Sequence, residues 1–273
     1  MKCHSKEPEK PSFDISNFIA GYEESNTEIE MTCPECGKVE IESYPNDRIP
    51  TIRTKICYKK SDNADYVGDN SSPCYIKYSR KKDVNAFKRF IGVPFRYKDC
   101  TLDSFTSSSN IIAEIRDIVN SGDYTQPLLF TGEITGTGKT HLCIATIVEI
   151  GLVSSLSMRF INFSELMGEI FESIKRDDSS SVDGVIKKYS TIGVLCIDDL
   201  GAEHTTAYST SLLYRILNNR YNSMKMTIIT TNLKGDEICD MYDRRIFSRM
   251  ICGHVFTLSG KDKRKGIYKK VEV

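Results

Sequence analysis

Residues 130–142 read Phe-Thr-Gly-Glu-Ile-Thr-Gly-Thr-Gly-Lys-Thr-His-Leu, and their types and spacing suit the binding of phosphate. Glycines at 132, 136 and 138 let the backbone fold back, so that successive N–H groups and the first turn of a following helix face an anion. Lys139 adds a positive charge, the Thr140 hydroxyl can ligate Mg²⁺, and Thr135, Thr137 and His141 belong to the same turn. The strict spacing G-x-x-x-x-G-K-[ST] would put glycine at position 133, where this chain has Glu133. Gly132 stands one residue early, which reads as a one-residue insertion at Ile134-Thr135. The competing reading is a glycine-rich turn that holds nothing; the coincidence of strand, loop and helix, and the acidic pair downstream, weigh against it.

That pair is Asp198-Asp199, which closes the apolar run Gly193 to Ile197. Two carboxylates at the end of a buried strand are costly unless something positive compensates them, and Mg²⁺ on nucleotide phosphates supplies that charge. Asp198 with Thr140 is placed to hold the ion, and Asp199 to orient an attacking water. Asn232 ends the next apolar strand and can reach the same water or the γ-phosphate; taken alone it reads as a turn residue.

The chain has ten cysteines. Cys33-Pro-Glu-Cys36-Gly37 has the spacing of a metal-binding knuckle, and a four-ligand zinc site here would be all cysteine, with Cys57 and Cys74, because no histidine lies between His4 and His141. A small polar segment poor in apolar residues also needs such a staple. Free thiols are the alternative, since Cys57 and Cys74 flank a long polar loop.

The elements that must position these groups follow from hydrophobic pattern. Short apolar runs at 127–130, 158–163, 193–197, 226–231 and 254–258 read as strands. Segments with apolar residues at helical spacing separate them: 111–119, 139–150, 164–174 with Ser164 as N-cap, 211–221 and 243–250. The apolar face Leu166, Met167, Ile170, Phe171 and Ile174 reads as core, and 176–183 as a polar loop. Strands alternating with helices imply an α/β fold, a parallel sheet flanked by helices, with ligands at the carboxyl ends of the strands. The expected division is a Cys-rich module at 1–75 (with a weak helix near 13–22), a basic linker helix at 76–98 and the nucleotide domain at 99–273.

Lys plus Arg and Asp plus Glu balance at 37 each, so any nucleic-acid contact must come from local patches, for which Lys77 to Lys98 and Lys261 to Lys270 are candidates. No apolar run is long enough to span a bilayer and the charged start lacks the core of a signal peptide, so a cytoplasmic protein without membrane association is expected.

Residues Val194-Leu-Cys-Ile-Asp-Asp-Leu-Gly-Ala-Glu203, Leu213-Tyr-Arg-Ile-Leu-Asn-Asn-Arg-Tyr221, Thr227-Ile-Ile-Thr-Thr-Asn-Leu233 and the lead-in Gly92-Val-Pro-Phe-Arg-Tyr-Lys-Asp99 with Phe105 resemble the AAA+ ATPases of the DnaC/DnaI helicase-loader group and their IstB-type transposition relatives. The resemblance spans about 92–265 and implies a P-loop AAA+ fold that binds ATP and Mg²⁺. It makes Asp198 and Asp199 the Walker B pair and Asn232 sensor 1. Arg249 becomes the finger reaching a neighbouring subunit's ATP, with Arg245 as second choice, and Arg264 the sensor 2 arginine. A DnaB-type replicative helicase, single-stranded DNA and a homo-oligomer or co-assembly on the helicase ring are the implied partners, with zinc in the helicase-binding N-terminal module. An IstB-like helper on duplex DNA and an adaptor with a degenerate nucleotide site are the alternatives; the Asp-Asp pair, the strand ending at Asn232 and the arginine helix argue against a small-molecule kinase.

Overall fold

The computed structural model describes residues 26–32, 39–45, 73–106, 109–175, 179–201 and 206–264. The chain divides into two compact units, Met1–Asp69 and Asn70–Val273. In the first, β1 (Asn26–Thr32) and β2 (Val39–Pro45) pair antiparallel, Asn26 opposite Pro45 and Thr32 opposite Val39. Cys33 and Cys36, in the segment joining the strands, lie outside the described residues, as do Cys57 and the expected helix at 13–22. Cys74 falls within a helix, but its side chain is also outside the description.

The second unit is built on five parallel strands: β3 (Leu128–Thr131), β4 (Met158–Asn162), β5 (Val194–Leu200), β6 (Thr227–Thr231) and β7 (His254–Thr257), in the order β4-β5-β6-β3-β7. Their runs read as unbroken apolar stretches because both faces are covered. Leu128, Phe130, Val194, Cys196 and Ile228 enter one core with α3 (Ser109–Ser121) and α4 (Lys139–Val153). Leu129, Leu195, Ile197 and Ile229 enter the other, with α5 (Phe163–Lys175), α6 (Ser179–Thr191), α7 (Ala207–Asn222), α8 (Gly235–Tyr242) and α9 (Arg244–Ile251).

Several expectations are corrected. The segment 76–98 is not one linker helix: α1 (Pro73–Lys82) and α2 (Val84–Phe90) are separated by Asp83, whose carboxylate accepts from the Ala86 N–H and starts a new helix. Phe87, Ile91 and Val93 are buried in the first core, which makes this segment part of the larger unit. Asn162, not Ser164, opens α5, its side-chain oxygen accepting from the Ser164 N–H at 3.0 Å and hydroxyl at 2.7 Å. Phe171 is 40% exposed rather than core. The polar loop expected at 176–183 gives way at Ser179 to α6, which Ile186 and Tyr189 anchor in the second core.

Arg220 is fully buried on α7 and ties these elements together. All five of its N–H donors are used, on the Thr227 hydroxyl and on the carbonyls of Tyr189, Ile192, Gly193 and Met226. Burial pulls its pKa down, and this full set of acceptors is what makes a buried guanidinium tolerable.

Candidate nucleotide-binding site

β3 lies between β6 and β7, and its chain emerges at the carboxyl edge of the sheet as the loop at 132–138. Gly136 and Gly138 take φ of +73° and +107°, a region that favours glycine, and a Cβ on Gly138 would stand 2.5 Å from the Phe105 ring. Gly138 opens α4 with no side-chain cap, which leaves the first N–H groups of a fifteen-residue helix directed at the loop. Lys139 is 7% exposed, and its ammonium donates to the Gly132 and Ile134 carbonyls at 2.6 and 3.0 Å. Burial lowers its pKa; Asp199 and Asp198 oppose that shift and Arg264 adds to it, so all three lie within electrostatic reach.

Beneath the loop a hydroxyl network holds the acidic pair. The Thr140 hydroxyl lies 2.9 and 3.2 Å from the two Asp198 oxygens, and the Thr230 hydroxyl donates to Asp198 Oδ1 at 2.6 Å. Burial raises the Asp198 pKa, against the hydrogen bonds from Thr230 and Thr140, which lower it. The β5–β6 register shifts between Ile197 and Leu200, and Asp199 is turned to φ +59°, so the two carboxylates diverge. The Asp199 N–H donates to the Thr230 hydroxyl at 2.8 Å, and Asn232 Nδ2 donates to Asp199 Oδ1 at 3.0 Å. The structure thus brings together Lys139, Thr140, Asp198, Asp199 and Asn232. It adds Thr230, which the sequence concealed as one more β-branched residue in an apolar strand.

The segment after β7 crosses the loop. The Lys263 N–H donates to the Gly136 carbonyl at 3.2 Å, and the Asp262 carboxylate packs against Gly136, where a Cβ would force it to move. Arg264 follows, its N–H donating to Asp262 Oδ1 at 2.8 Å.

Other expected residues stand elsewhere. Glu133 points outward into an exposed ion pair with Lys234 at 3.3 Å. Thr135 is exposed, and the Thr137 hydroxyl donates to the Ile134 carbonyl at 3.3 Å. His141 has its ring engaged with the lead-in segment: Nε2 is 2.8 Å from the Thr101 carbonyl and 3.2 Å from the Ser104 hydroxyl, and burial lowers its pKa. Arg249 belongs to a separate cluster on α7 and α9, where it donates to Asn218 Oδ1 from Nε and Nη2 (2.9 and 2.7 Å), to the Arg245 carbonyl and to the Tyr214 hydroxyl. Arg245 pairs with Asp243 and stacks on Tyr214. Among the described residues no group of His, Cys, Asp and Glu is arranged to hold a metal by itself, and no helix is long and apolar enough to cross a membrane.

The donor set fits a Mg²⁺ nucleotide: an uncapped helix N-terminus and a buried ammonium for phosphate, and a hydroxyl beside a buried carboxylate for the ion. Together with the strand order this defines a P-loop nucleotide-binding protein of the AAA+ fold. The chain belongs to the family of IstB-like ATP binding proteins, whose sequence profile matches residues 106–251, more than half of the chain. The replicative helicase loader DnaC of Escherichia coli (strain K12) is 23% identical over 168 residues, 60% of this chain and 67% of that one. A crystal structure of the DnaC helicase loader superposes with TM-score 0.54 at 23% identity, over 61% of this chain and all of that one. A DnaA replication initiator bound to AMPPCP and single-stranded DNA superposes with TM-score 0.53 at 18% identity, over 62% of this chain and 52% of that one. The chain thus spans about half of the DnaA chain it matches, and these structural likenesses concern the fold.

Proposed function

We propose that this chain is an ATP-dependent loader of a DnaB-type replicative helicase, acting with single-stranded DNA in the cytoplasm and using ATP binding and hydrolysis as an assembly switch. The observation that carries the ATPase part is the network in which Thr140, Thr230 and Asn232 hold Asp198 and Asp199 under the phosphate loop. The likeness to DnaC supports the loader part.

Bound MgATP supplies the phosphoanhydride bond to be broken and the charge of the ion. The loop N–H groups and the α4 N-terminus bind the phosphates and Lys139 neutralises them. Thr140 and Asp198 hold the ion. Asp199, fixed by Asn232, orients water. Arg264 acts on the phosphates from the same chain, whereas Arg249 acts on a neighbouring subunit's nucleotide, which makes hydrolysis depend on assembly. The first unit, which holds Cys33, Cys36 and Cys57, forms the helicase-binding module and binds zinc through them, whereas Cys74 lies on α1 of the larger unit; the paired strands that lead into and out of the Cys33–Cys36 segment support this reading.

The test is ATP hydrolysis by the purified chain with and without single-stranded DNA and a DnaB-type helicase, with Lys139→Ala as control. Turnover that requires Lys139 and changes with helicase supports the loader. A response to duplex DNA instead would favour the second reading, an IstB-like transposition helper, which the family profile keeps in play. Absence of nucleotide binding would leave an adaptor.

A further inference from the structure

Phe90 and Phe95 are 79% and 70% exposed, on either side of the turn that joins α2 to the 3₁₀ segment Phe95–Tyr97. Two large apolar rings held in water need a reason, and the turn that presents them is firmly built. Ile91 and Val93 are buried anchors, and Gly92 sits at φ +95° with its would-be Cβ 2.6 Å from the Phe160 carbonyl. The buried Lys88 ammonium donates to the Lys98 and Cys100 carbonyls at 2.6 and 2.8 Å, lacing the segment back to α2.

The surroundings are cationic. Lys98 Nζ lies 4.9 Å from the centre of the Phe95 ring and the Arg96 guanidinium 5.1 Å from that of Tyr97; Lys82 and Arg89 are exposed. The acids nearby are Asp83, whose carboxylate caps α2, Asp99 and Glu149. A cleft of about 160 Å³ opens beside Phe95, lined by Asn85, Arg89, Pro94 and Lys98 among others.

We propose that this face binds single-stranded DNA, with bases stacked on Phe90 and Phe95 and phosphates met by Arg89, Arg96 and Lys98. A ring lining a cationic cleft, as Phe95 does, and a second exposed ring next to the lining residue Arg89, as Phe90 is, suit a sequence-tolerant single-strand site, because every base has a π-face and every nucleotide a charge. A rigid backbone lowers the ordering cost of such a site. The loader reading gives this site its cellular purpose, but none of its residues touches the phosphate loop, so the two can fail separately.

Fluorescence anisotropy of a labelled oligothymidylate with the full-length chain tests it. Phe90→Ala/Phe95→Ala should weaken binding by about tenfold or more, as the loss of base stacking predicts, while melting temperature and nucleotide affinity stay at wild-type values. Phe90→Tyr/Phe95→Tyr should retain binding. Lys98→Ala should reduce the salt dependence by about one phosphate contact. Undiminished binding by the alanine pair would overturn the proposal and leave the loader reading standing; absence of DNA binding by the wild-type chain would overturn the proposal and the single-stranded DNA part of that reading, while the ATPase response to helicase is read separately. If the alanine pair keeps DNA binding and loses only the response to helicase, the face belongs to a protein partner and the proposal falls.

Discussion

Replacing Thr230 with valine removes one oxygen from the centre of the candidate site. Thr230 is 2% exposed, and its hydroxyl both donates to Asp198 Oδ1 and accepts from the Asp199 N–H. Valine keeps the shape, so no cavity forms and the cost is polar. A hydrogen bond to a carboxylate is worth about 1.5–3 kcal/mol, and a buried N–H left without an acceptor costs about 1–3 kcal/mol. Thr140 still donates to Asp198, so the loss of unfolding free energy should fall near the lower end, about 3 kcal/mol. Thr230→Ser restores the oxygen and loses only a methyl, about 1 kcal/mol. Thr231→Val removes a hydroxyl that donates to the neutral Leu200 carbonyl at 2.7 Å and accepts from the Leu233 N–H at 3.1 Å; with no charged partner it should cost about 2 kcal/mol. The chain has no tryptophan, so urea unfolding followed by circular dichroism at equal denaturant slope is the suitable assay. A Thr230→Val chain within about 0.5 kcal/mol of wild type would refute the reasoning, since that margin covers an ordinary surface change.

Burial raises the Asp198 pKa in the folded chain, so its own contribution to stability without nucleotide is greatest below the ordinary carboxylate pKa and is lost as pH rises through the raised value; Asp198→Asn should remove that contribution from the difference between the two chains in urea titrations at several pH values. Glu133→Ala removes only an exposed ion pair and should change ATP affinity, measured with a fluorescent analogue, by less than about fivefold. Asn218→Ala frees Arg249 from its bidentate acceptor and should lower assembly-dependent hydrolysis by about tenfold or more while nucleotide binding stays normal; equal loss of both would point to a folding defect instead. Elemental analysis of chain purified without chelator should find about one zinc per chain, and a value near zero would remove the all-cysteine site.

The phosphate loop was legible because three independent signals coincide at residues 128–153: an apolar strand, glycines at the turns and a helix opening on Lys139. Asp198 and Asp199 were legible because carboxylates are rare at the end of a buried run. Thr230 was not, since a threonine inside an apolar strand has the same pattern whether its hydroxyl is idle or binds a carboxylate. Asn218 resembles any polar residue on a helix, and only tertiary structure shows that it holds Arg249. The basic composition of 76–98 masked its buried residues Phe87, Ile91 and Val93 and suggested a linker. Ser179 to Ser181 disguised the start of α6, because serine's local hydrogen bonding favours turns until the packing of residues further along outweighs it.

Arg80 gives α4 a second point of attachment, at the end away from the phosphate loop. Its guanidinium donates to the carbonyls of Gly151, Ser154 and Leu156 at 3.1, 2.9 and 2.8 Å, placing a positive charge at the negative pole of the helix. The opposite pole is the one offered to phosphate. A single buried rod therefore runs from the nucleotide's charges to the first helix of the larger unit. It works like a push-rod seated at both ends: α1 cannot shift without carrying α4 along or giving up three charge-assisted hydrogen bonds.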